Sequence, residues 1–97
     1  MRDTKSFELL IFKCALQHSE IDAIQKSLPA DEYCIVSVPE QKISYGVMNE
    51  DLHSRFMDVL SGETLEHLEY LDEKEFKKVV DVKRSKVIGN VGLLDKL

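Results

Sequence analysis

The chain has no tryptophan, two prolines, two cysteines and four glycines in 97 residues. Each shortage closes off a class of answer. Cys14 and Cys34 are too few for a disulfide scaffold and read as reduced thiols. Gly46, Gly62, Gly89 and Gly92 do not group as a phosphate-binding loop or dinucleotide fingerprint requires, so no nucleotide cofactor is expected. Apolar runs such as Leu9 to Phe12 stop at four residues, where a membrane span needs about 20. The opening MRDTKSFELL holds no apolar stretch of signal-peptide type. These absences point to a cytoplasmic protein with no membrane partner. Positive charge is also short. The formal net charge is −5 and the pI about 5.1, which excludes a general nucleic-acid binder because displacing counterions needs a surplus of Lys and Arg.

What is present suits one folded domain over residues 1–97. Hydrophobic residues make up 43% and charged residues 32%, enough to bury one core but with little surplus stability. The charge is segregated. Residues 50–75 hold nine acidic and two basic side chains, and residues 76–97 hold six basic and two acidic.

FELLIFKC (Phe7 to Cys14) reads as a central strand, apolar on both faces in its middle. Ser19 offers an N-cap to a helix carrying Ile21, Ile24 and Leu28, which Pro29 stops. YCIVSV (Tyr33 to Val38) and the run from Ile43 to Met48 are two further strands, separated by Pro39, Glu40 and Gln41. Asn49 caps the next helix, with Glu50 and Asp51 at its positive end. Leu52, Phe56, Val59 and Leu60 form its buried stripe, and Ser61-Gly62 stops it. ETLEHLEYL fits either a helix or a strand. Asp72 to Val82 is a helix with Phe76, Val79 and Val80 inward, and Val87-Ile88-Gly89 fits a last short strand. Two architectures suit this order: a small, mostly parallel α/β sheet with flanking helices, and a ferredoxin-like α+β sandwich.

ISYGVMNEDLHSRF, then LEHLEYLDEKEFKKVV, then KVIG, resemble the C-terminal half of the DsrH/TusB family, in the DsrE-like sulfur-relay group. Ile43, Tyr45, Glu50-Asp51-Leu52, Arg55, Tyr70, Phe76 and Val87-Ile88 fall on the family pattern in order. LLIFK, HSEIDAI and DEYCIVSV follow its N-terminal half more loosely. The resemblance implies a DsrE-like, mostly parallel sheet and a cytosolic place in persulfide transfer toward tRNA thiolation or sulfur oxidation. It implies related sulfur-relay subunits, or a homo-oligomer, as partners, with tRNA involved at most indirectly. TusB-type subunits usually lack the sulfur-carrying cysteine, so a structural or docking role rather than stand-alone catalysis is implied. One departure is physical. The family has a helix between its second and third strands, and here only PEQK stands between Val38 and Ile43. A parallel pair needs a crossover of about a dozen residues, so these two strands either pair antiparallel or are shorter than drawn.

Cys14 is the candidate persulfide carrier. It ends the first strand beside Lys13, and the carboxyl end of a strand is where open α/β sheets build sites. The competing reading is a small buried hydrophobe, which is also the reading for Cys34. Cys14 and His18 could be half of a metal site, but His53 and His67 are scattered, so no metal is expected. His53 reads as solvated, and Arg55 as a partner of Asp51 or Asp58. Lys77, Lys78, Lys83 and Arg84 form a candidate docking patch, weighed against a solvated face. A reading of another class treats the chain as a non-enzymatic acidic binding protein, such as an immunity or antitoxin-type inhibitor. Glu63, Glu66, Glu69, Asp72 and Glu73 would then be its docking face for a basic partner.

Overall fold

The computed structural model of the chain describes residues 9–97, so Phe7 and Glu8 of the expected first strand lie outside it. The strands are β1 (Leu9–Cys14), β2 (Tyr33–Val38), β3 (Ile43–Asn49), β4 (Glu69–Leu71) and β5 (Lys86–Gly89). They form one sheet in the order β4-β1-β3-β2-β5. Every pairing is antiparallel. The mostly parallel, DsrE-like sheet is therefore overturned, and the cause is loop length. Pro39 to Lys42 closes β2 onto β3 in a tight turn, with Gln41 N donating to the Val38 carbonyl at 3.1 Å and Lys42 N to the Pro39 carbonyl at 3.2 Å. Lys42 turns the corner at φ 56°. No crossover helix fits in four residues.

The helices are α1 (His18–Ser27), α2 (Glu50–Asp58), α3 (Gly62–Glu66) and α4 (Glu73–Val79). α1 carries the chain from β1 past one sheet position to β2, and β3 fills that position. The α2-α3 connection does the same from β3 to β4 around β1. This double split βαβ arrangement is compatible with the ferredoxin-like α+β alternative. Helix α4 and strand β5 extend it on the β2 side.

Strand alternation sorts the core into two layers. Phe12, Ile35 and Met48 face α1 and α2, where they meet Ile24, Leu28, Leu52, Phe56 and Leu60. Ile11, Cys34, Val36, Tyr45 and Val47 face the other way, onto Phe76 of α4 and Leu93. At the centre of β3, a Cβ on Gly46 would lie 2.4 Å from the Phe12 ring. Glycine is required there because an aromatic ring lies directly on the backbone.

Caps explain most helix boundaries. Asn49 Oδ1 accepts from Leu52 N at 2.9 Å, and Asp72 Oδ1 from Glu75 N at 2.8 Å. Ser61 ends the α2 region and also starts α3, its hydroxyl accepting from Thr64 N at 3.3 Å. ETLEHLEYL thus contains both alternatives, the end of a helix and an edge strand. Two details differ from expectation. Helix α1 is capped from Gln17 rather than Ser19, because the Glu20 carboxylate accepts from Gln17 N at 2.9 Å. Helix α4 stops at Val79, which is 44% exposed instead of inward. Among the described residues no helix is long and apolar enough to cross a membrane.

Candidate functional site

The end of β1 is a closed corner. Cys14 is buried against Ser44 of β3, its partner across the pair. Burial pushes its thiol up to about 12, and the nearby Glu20 carboxylate adds to the effect. Such a group is a protonated thiol at neutral pH. Lys13, the neighbour that could have lowered it, points to the opposite face by strand alternation and pairs with Glu69 at 3.6 Å. Cys34 is fully buried, and its thiol is pushed up to about 11 by burial. Among the described residues no three His, Cys, Asp or Glu side chains converge as a metal site.

Beside Cys14 the buried Glu20 ties two distant segments together. Its carboxylate accepts from Gln17 N at 2.9 Å, Ser61 N at 2.8 Å and Thr64 Oγ1 at 2.9 Å. Burial alone would raise its pKa. The backbone donors of Ser61 and Gln17 and the hydroxyls of Thr64 and Ser61 outweigh burial and hold it below the usual carboxylate range. All of these donors are protein groups, so the carboxylate joins α1 to α3 and has no free role as an acid or base.

The β4 edge differs. Tyr70 pairs across the sheet with Phe12, so both side chains stand on the α2 side. Its ring packs edge-on to Phe12 at 6.5 Å and against His53 at 5.5 Å, and its hydroxyl lies 3.3 Å from His53 Nε2. Yet Tyr70 is 57% exposed. The aromatic neighbours fix one side of the ring and leave the other to solvent. His53 is 5% exposed, a correction to the solvated reading. Its ring meets Phe12 at 5.0 Å and Phe56 at 6.3 Å. Burial lowers its pKa, with Glu50 pulling the other way. It is therefore a buried support for Tyr70.

Acidic side chains are frequent in the segments that flank Tyr70 in the chain. Glu63 and Glu66 on α3, Glu69 on β4, Asp72 at the cap of α4 and Glu73 on its first turn are all exposed. The basic candidates follow further along the chain. Lys77 and Lys78 close α4, and Lys83 and Arg84 lie in the turn leading to β5, at the opposite edge of the sheet. Lys77 donates to the Leu97 carbonyl at 3.0 Å, and Arg84 pairs with Asp81 at 3.7 Å. Arg55 binds neither Asp51 nor Asp58. Its guanidinium donates to the Ser27 carbonyl at 3.3 Å, which links α2 to the end of α1.

Two residues of this arrangement were missed at the level of sequence: His53 as a buried support, and Tyr70 as an exposed ring. The signal was available in part, since HLEYL alternates and puts Tyr70 on the same face as Leu68. The pairing of β4 with β1 was the missing information. The chain matches no protein-family model, and searches of curated proteins and of solved structures find no match either.

Proposed function

We propose that the chain is a non-enzymatic binding protein that docks a basic protein partner on its β4 edge. One observation carries this reading: Tyr70 is 57% exposed on a three-residue edge strand, held from behind by Phe12 and His53. Interfaces draw most of their energy from a few aromatic or Arg anchors, and a side chain already fixed in place loses little entropy on binding. Glu66, Glu69, Asp72 and Glu73 are exposed and lie within four residues of the anchor in the chain, a local excess of negative charge that attracts a basic partner. The other reading, a structural or docking place in sulfur relay with Cys14 as candidate carrier, came from a family resemblance that implied a mostly parallel sheet. The antiparallel pairing and the raised thiol pKa both weigh against it.

The test is affinity capture from cells that express the protein, using the full chain, Tyr70→Ala, and a Glu69→Lys/Asp72→Lys variant, at low and at high salt. The reading predicts a basic protein retained by the wild type and lost by both variants. It also predicts that the complex weakens as salt rises. Retention of the same proteins by all three chains would remove the β4 edge from the account.

A further inference from the structure

The fifth strand leaves part of the sheet uncovered. A helix is about 10 Å across and strands lie about 4.8 Å apart, so two helices do not cover a five-stranded sheet. Helices α1 and α2 pack on its middle through Ile24, Leu28, Leu52 and Phe56, and β5, at the edge beyond β2, projects past α1. Its residues on that side are Lys86 and Ile88, fixed there by their pairing with Ser37 and Ile35 of β2. The overhang and the flank of α1 enclose a groove of about 330 Å³. The helical wall is a single stripe, His18, Ile21, Asp22 and Gln25, at the i, i+3, i+4, i+7 spacing of one helix face.

The two walls differ in charge. Asp22 stands on the helix and Lys86 on the strand, and neither makes an ion pair among the described residues. Half-buried Ile21 and Ile88 lie on the same two walls and supply apolar surface, while Gln25 and Ser37 are neutral polar groups. The volume is at the small end of ligand sites, which run from about 300 to 1,000 Å³. A ligand with one charge would leave the other wall unmatched. We propose that this groove binds a small zwitterion of the α-amino-acid class. Its carboxylate meets Lys86, its ammonium meets Asp22, and an apolar side chain packs on Ile21 and Ile88. This site is independent of the β4 edge.

The probe is L-leucine, titrated into the full chain while backbone amide chemical shifts are followed. Two truncated analogues sharpen the result: 4-methylpentanoate lacks the ammonium and isopentylamine lacks the carboxylate. The proposal predicts saturable shifts confined to Ile21, Asp22, Lys86, Ile88 and their neighbours. Each analogue, and each of the exposed-site variants Asp22→Asn and Lys86→Gln, weakens binding by about tenfold or more, the size of one lost charge-assisted hydrogen bond. Absence of saturation overturns it. So does equal binding of either analogue, or indifference to both variants.

Discussion

The two edges of the sheet are built from different materials. At the β4 edge a short strand sits over the largest aromatic cluster among the described residues, Phe12, His53, Phe56 and Tyr70, and its flanking segments are acidic. At the β5 edge the strand is longer, rests on β2 through Ile35 and Val36, and is preceded by Lys83 and Arg84 and opened by Lys86. Helix α4 leaves the acidic edge, crosses the face opposite α1 and α2 on Phe76, and delivers the chain toward the basic one. The order of charge along the sequence thus follows α4 from the β4 side to the β5 side, where exposed Asp31 and Glu32 also lie near β5. One edge presents an anchored ring flanked by acidic segments. The other presents a groove between opposite charges. A protein with a net charge of −5 can therefore attract cations at one end without presenting a uniform surface.

The difference can be broken from the β4 side first. Phe12→Ala removes a fully buried ring that supports His53, Phe56 and Tyr70. It should cost about 3–5 kcal/mol in denaturant unfolding, and Tyr70 should lose its fixed environment as read by fluorescence anisotropy. Gly89→Ala attacks the other side. Gly89 sits at φ +89°, and a Cβ there would lie 2.2 Å from the Tyr33 carbonyl oxygen. About 1–3 kcal/mol of strain is expected, and amide exchange should rise in β5 while β4 stays protected. Equal loosening of both edges would refute their independence.

The smallest of these effects concerns the join between the helices. Glu20 has its pKa lowered in the folded state, so its contribution is fully present above the unfolded value and is lost as pH falls through the folded one. Glu20→Gln should lower stability at neutral pH by about 1–2 kcal/mol and flatten the decline of stability below about pH 4.5. An unchanged acid limb would mean that other carboxylates dominate it.

Much of the fold was legible in local chemistry. Asn49 and Asp72 cap where their side chains can reach the third amide, and the stripe of Leu52, Phe56 and Leu60 is buried as its spacing implies. Strand direction was the main error. PEQK contained the answer, since four residues close a hairpin and cannot hold a crossover, yet the family resemblance favoured the parallel sheet. The buried state of His53 was not legible, because it depends on β1 and β4 placing Phe12 and Tyr70 alongside α2. Glu20 was likewise hidden: a glutamate on the first turn of a helix looks like a dipole partner until Ser61 and Thr64 arrive from 41 and 44 residues away.

The central claim is that the acidic β4 edge, and not the basic β5 edge, receives the partner. Hydrogen exchange of the full chain, free and in complex with the basic protein it captures, tests this most directly. The account predicts new protection over residues 66–73 and unchanged exchange over 83–88. Protection confined to 83–88, or no protection at Tyr70 and its neighbours, would contradict it.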